Sequence, residues 1–150
     1  MPSNKFEWFT RIKAVEREHV AVRYATDYLL NAVHHDPTIL DRVLRVRDVK
    51  EAVEQLEGTY VIRLFAEFET SLRTFWIVSR GTDPPSRTRD LLDGIGARRK
   101  VPHDTIENAH AVREYRNALV HEREDTFQPL PIAVARSYLC VFLNFLPLEW

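Results

Sequence analysis

Glycine is scarce in this chain: four residues in 150, at positions 58, 81, 94 and 96. Tight hairpin turns draw on Asn-Gly and Asp-Gly pairs, and Asp93-Gly94 is the only such pair present, which argues against a β-rich fold. Cysteine is scarcer still. Cys140 stands alone inside the apolar run SYLCVFLNFL, so no disulfide and no thiolate metal site can form within one chain, and a buried, inert thiol is expected. No apolar stretch approaches the roughly 20 residues that span a bilayer. The opening residues, MPSNKFEWFTRIK, are mixed polar and charged and lack the apolar centre of a signal peptide. The expectation is a soluble cytoplasmic protein with no membrane contact. Excess charge is absent too: the formal net charge is −1, so any nucleic-acid binding must come from local patches. Lysine is rare, with Lys5, Lys13, Lys50 and Lys100 the only ones among 21 basic residues. Arginine, the better partner for carboxylate and phosphate, supplies the rest.

What the chain does have is apolar residues at helical spacing, 45% of the total and enough for a core at this length. Trp8, Ile12, Val15, His19, Val22, Thr26, Leu29 and Val33 recur at three and four and predict a first long helix, broken at HHDPT. A short helical piece is expected over Thr38 to Arg45. From Val49 to about Ser79 the spacing predicts either one helix or two joined near Gly58; its second half, YVIRLFAEFETSLRTFW, is the central core element. GTDPPS is a loop, and RTRDLLDGIGARRK is a short helix ended by its glycines. Asp104 with Glu107 predicts an N-cap for a helix from Thr105 to about His121. A last helix runs from Ile132 to about Phe145, with Val134, Tyr138, Phe142 and Phe145 inward. No repeat or long linker divides the chain. The fold class is therefore all-α, a bundle of four to five main helices in a single domain, with residues 1–45 as an N-terminal helical extension and 46–148 as the helical core.

One stretch carries chemistry. In REYRNALVHE, Arg113, Asn117 and His121 fall at i, i+4 and i+8 and share a helix face beside an apolar stripe of Val112, Tyr115 and Leu119. Arg116 lies on the border between the two, about 100° around from Asn117. Two guanidiniums, an amide and an imidazole suit a ligand with dispersed negative charge, phosphate above all: arginine donates in bidentate fashion, and histidine moves protons near neutral pH.

RNALVH resembles the Arg-x4–6-His signature of the HEPN superfamily, small α-helical domains of many prokaryotic toxins and RNA-processing systems. Its place, late in the chain and ending the penultimate helix, agrees with that family. AEFETSLRTFW is similar in a second way: Glu69, followed by Leu72 and Arg73, resembles the acidic position that supports the active site in many HEPN ribonucleases, with Glu67 as a rival. The resemblance covers roughly residues 50 to 148. It implies a homodimeric, metal-independent endonuclease that uses the 2′-OH of RNA as nucleophile and leaves a 2′,3′-cyclic phosphate. It needs no cofactor, and a cognate antitoxin is a possible partner. By position, Arg116 would stabilise the charged phosphorane and His121 would transfer a proton or position the reacting group. Asn117 would orient the phosphate or the histidine, and Glu69 would orient an arginine or bias the histidine's protonation. Arg113 and Arg73 would help bind substrate. Some HEPN toxins carry a tyrosine two residues after the histidine that receives AMP; Arg123 stands there instead.

No metal-ligand spacing is evident, since His34-His35-Asp36 and His103/His110 do not make a closed set. Two rival readings differ in kind. A non-catalytic HEPN-like module would hold a nucleotide or a protein partner with the same stripe. A plain helical interaction domain would pair Arg116 with a carboxylate of its own chain, and His121 would cap its helix. The bases of residues 80–100 outnumber the acids six to three and suit either backbone steering or a solvated surface.

Overall fold

The structure, a computed structural model, describes residues 2, 4–121 and 127–150; Arg123 and its neighbours in 122–126 lie outside the described residues. Helix α1 spans Lys5–His35, α2 Val46–Arg80, α3 Thr88–Arg99, α4 His103–His121 and α5 Ile132–Asn144. Among the described residues no strand forms, and an isolated bridge between Asn4 and Glu149 ties the two ends together. The molecule is thus an all-α bundle. Among the described residues no helix is long and apolar enough to cross a membrane.

Local chemistry explains most boundaries. The Asn4 side chain caps α1 by accepting from the Glu7 N–H at 3.0 Å. At the other end Pro37 stops the helix, and Asp36 accepts from the Thr38 N–H at 3.0 Å and from its hydroxyl; the hydroxyl bond leads in holding the Asp36 carboxyl below its usual range. The helical piece expected over Thr38 to Arg45 shrinks to a 3-10 turn, Pro37–Ile39. Asp41 is the cause: its carboxylate takes the N–H groups of Val43 and Leu44 at 2.9 and 3.2 Å, a local bonding pattern that competes with helix. The Asp48 carboxylate then starts α2 by accepting from the Arg45 N–H at 2.8 Å.

Of the two options for the second segment, a single continuous helix forms. Gly58 does not break α2; it lets Leu119 approach, since a Cβ there would stand 3.1 Å from Leu119 Cδ2. Gly81, at φ 65°, ends the helix in the left-handed region that a side chain resists. The expectation that glycines end α3 is corrected. α3 runs through Gly94 and Gly96 and stops at Lys100, φ 52°. Both glycines serve close packing: a Cβ on Gly94 would meet the Trp76 ring at 3.1 Å, and one on Gly96 would meet Ile106 Cδ1 at 2.6 Å. α4 begins at His103, so Asp104 lies inside the first turn rather than capping it, and its carboxylate accepts from the Thr105 N–H at 2.8 Å. In α5 the buried face is Ile132, Ala135, Leu139, Phe142 and Leu143: Phe142 is buried as expected, Tyr138 and Phe145 are half-buried against the core, and Val134 gives its place to Ala135.

α2 is the centre. α1 packs along it, α4 and α5 pack against it, and α3 bridges α2 and α4. Trp8, Phe65, Phe68 and Phe142 are fully buried, with Phe68 meeting Phe142 edge to face at 5.7 Å between centroids. Trp8, Ile12 and Val15 belong to the same core, so the first half of α1 packs as part of it. Cys140 is half-buried, and burial raises its thiol pKa, which keeps it a poor nucleophile.

Candidate functional site

α4 presents Thr105, Ala109, Val112, Tyr115 and Ala118 to the core, and that face fixes where its polar residues stand. Burial, with a smaller contribution from the Glu57 charge, raises the pKa of the Tyr115 hydroxyl and keeps it neutral. Arg116 sits at the edge of the buried face. Its guanidinium lies 5.8 Å from the centroid of the Phe65 ring in α2, and Nη1 donates to Asn117 Oδ1 at 2.9 Å. Its Nε is buried and has no hydrogen-bond partner among the described residues. A buried donor without an acceptor costs about 1–3 kcal/mol, more for a charged group. The guanidinium is therefore held in place while part of its hydrogen-bonding capacity goes unused.

Asn117 offers its carbonyl to Arg116, which leaves the amide NH2 as a donor. His121 is the last residue of α4 and is exposed. Arg113, one turn before Asn117, is engaged differently: Nε donates to His110 Nδ1 at 3.2 Å, and Nη2 donates to Glu114 Oε1 at 3.0 Å. His110 Nε2 in turn meets Asp93 Oδ1 of α3 at 2.7 Å. An Nδ1 that accepts from arginine leaves Nε2 to donate, so Arg113, His110 and Asp93 form a chain of donation from α4 to α3. Sequence reasoning missed this chain. The i, i+3 spacing of His110 and Arg113 was visible, but nothing local points to Asp93.

Glu69 and Arg73 stand on α2, Glu69 one turn beyond the Phe65 ring that Arg116 meets, and both bond toward the start of α3. Arg73 Nε and Nη2 donate to Glu69 Oε1 at 3.0 and 2.7 Å. Nη1 donates to Pro85 O at 3.0 Å, Nη2 also reaches Ser86 O at 3.2 Å, and the Thr88 hydroxyl adds a third bond to Glu69 Oε1 at 2.9 Å. This clasp holds the loop that leads into α3. Glu67 faces α1 and pairs with Arg11 at 3.0 Å. Among the described residues no hydrogen bond or ion pair joins either glutamate to Arg116, Asn117 or His121. Arg113, Arg116, Asn117 and His121 stand on one helix, whereas the bonds of Glu69 and Arg73 run to each other, to Thr88 and to the loop before α3. Arg116 also has no carboxylate partner among the described residues, which the plain interaction-domain reading requires. No group of three His, Cys, Asp or Glu side chains converges as a metal site among those residues.

No family model matches the chain, and neither a curated protein nor a solved structure matches it. The HEPN resemblance rests on the Arg116-to-His121 motif and on its position at the end of the penultimate helix.

Proposed function

We propose that the chain is an HEPN-like, metal-independent RNA endonuclease, active as a homodimer and serving as the toxin of a toxin–antitoxin or defence system. The observation that carries this reading is Arg116. Its guanidinium is anchored over Phe65 and on Asn117, has no carboxylate partner among the described residues, and lies on the same helix end as an exposed His121. In the proposed reaction the 2′-oxygen of a ribose attacks the adjacent phosphorus, the bond to the 5′-oxygen breaks, and a 2′,3′-cyclic phosphate is left. The 2′-OH must lose a proton and the 5′-oxygen must gain one. Histidines of two facing chains would serve those transfers, with Arg116 neutralising the phosphorane and Asn117 donating its NH2 to a phosphate oxygen. Arg113 would meet the neighbouring phosphate. The part of Glu69 and Arg73 in the site follows from the resemblance alone, and their bonds within the chain support a role in positioning the loop before α3.

A second reading keeps the phosphate and drops the cut. Among the described residues nothing orients His121 within one chain, and a phosphate-binding module needs no such orientation. The deciding experiment is cleavage of an RNA pool in excess EDTA by wild type, His121→Ala and Arg116→Ala. Cutting that survives EDTA, leaves cyclic ends and disappears in both variants establishes the nuclease. Absence of cutting by a folded dimer that still retains RNA on a filter leaves the binding module.

A further inference from the structure

Away from the α4 stripe, the C-terminal ends of α2 and α3 meet at a cleft of about 410 Å³ walled by Phe75, Trp76 and Ile95 and rimmed by Arg80, Arg98 and Arg99. None of its lining residues is acidic. The three arginines come from the last turns of two helices, where one cation per helix suffices to offset a C-terminal dipole of about half a charge. Three full positive charges against two such half charges leave about two positive charges in excess, so dipole compensation does not account for the cluster. No ion pair among the described residues takes up the excess, unlike Arg11, Arg63, Arg73 and Arg136, each of which holds a glutamate. Two of the three are already positioned. The Arg80 guanidinium lies 4.2 Å from the centroid of the Trp76 ring, and Arg99 Nε donates to Phe145 O at 2.9 Å. Arg98 is exposed and has no partner among the described residues. Fixing two of three guanidiniums in advance lowers the ordering cost of binding an anion between them.

We propose that this cleft is a second phosphate-binding site, which takes the phosphates of a nucleotide, free or within an RNA strand, on Arg80, Arg98 and Arg99, with Trp76 beneath the Arg80 guanidinium as the reporter of that contact. Guanidiniums favour phosphate through paired hydrogen bonds, and a site with this much excess charge favours a ligand carrying more than one negative charge. The site shares no residue with the α4 stripe, so it stands or falls independently of the nuclease reading.

The test uses the full chain as His121→Ala, which keeps RNA intact whatever α4 does, titrated in EDTA with inorganic pyrophosphate, ATP and a ten-residue oligouridine. Binding is followed by calorimetry and by tryptophan fluorescence. The expected result is binding of at least one probe, weakened about tenfold or more in Arg80→Gln and in Arg98→Gln, with the fluorescence change lost in Trp76→Phe while the heat persists. Pyrophosphate and ATP without the oligomer identify a free nucleotide. The oligomer alone, with a salt slope that falls by about 0.7 for each arginine removed, identifies a strand. Silence with all three probes, or wild-type affinity in both arginine variants, overturns the proposal.

Discussion

Arg73 and Arg116 are both arginines on core helices, and they are treated in opposite ways. All three nitrogens of Arg73 donate, to Glu69 and to the carbonyls of Pro85 and Ser86. Among the described residues Arg116 has one hydrogen bond, one aromatic neighbour and a buried Nε with no acceptor. A satisfied guanidinium contributes stability where it sits. An under-satisfied one is a standing cost, which under the nuclease reading is kept for the phosphate. The contrast distinguishes the arginine of the RNALVH motif from the arginine of the upstream AEFETSLRTFW match.

The largest effect that would sharpen this contrast is catalytic. Under the nuclease reading, His121→Ala lowers cleavage by about 10²–10⁴-fold and Arg116→Ala by about 10²–10³-fold, while Arg73→Met keeps most of the activity at a temperature where it is folded. Equal losses in all three at full folding would erase the distinction. Next comes stability. Arg73→Met strips Glu69 and two loop carbonyls of their donor and is expected to cost about 2 kcal/mol, a fall of roughly 4–8 °C in Tm for a domain of this size. Arg116→Met removes the unpartnered donor and keeps an apolar stem over Phe65, so its Tm should stay level or rise by as much as ~1 kcal/mol allows. A calorimetric scan of the pair decides it, and a drop for Arg116→Met as large as that for Arg73→Met would show that the guanidinium is structural.

The smallest effect is at the surface, where an ion pair has neither burial nor chemistry behind it. Glu18 receives both terminal nitrogens of Arg63 at 2.9 Å, and those bonds hold its carboxyl below the ordinary range. A lowered carboxyl adds stability above the unfolded value, near pH 4, and loses it as pH falls through the folded value. Melts of wild type and Glu18→Gln between pH 3 and 7 should therefore converge in acid and separate slightly at neutrality, less so in high salt. Parallel curves over the whole range would remove the pair from the account.

Much of the fold was legible because helical periodicity leaves a long record. Trp8, Ile12 and Val15, and likewise Leu64, Phe68 and Leu72, are buried as their spacing required. Misreadings cluster where a residue has two uses. Gly94 and Gly96 look like helix stops by composition, but they are contact points for Trp76 and Ile106, which only the packed structure reveals. Asp41 and Asp104 bond to backbone amides nearby, and local competition of that kind shifts a helix boundary by a turn without altering the apolar pattern. At the candidate site the shared face of Arg113, Asn117 and His121 follows from the helix period. The Phe65 ring under Arg116 and the Asp93 carboxylate behind His110 come from other helices, and a periodicity confined to one segment does not contain them.

The α1–α2 hairpin has a dynamic consequence. At about 1.5 Å per residue, 31 and 35 residues make rods of about 46 and 52 Å. The continuous core reaches only to Val22 on one rod and Leu56 on the other, and Val33 and Val49 are buried beyond it without joining it. Fewer buried apolar side chains hold the far end of the hairpin, so amide exchange there is expected to be faster than in the part packed up to Val22 and Leu56, which a hydrogen-exchange map would check. Nearer the body, Gly58 lets α2 press on Leu119, two residues before His121, so the packed part of the hairpin is the part that meets the last turns of α4.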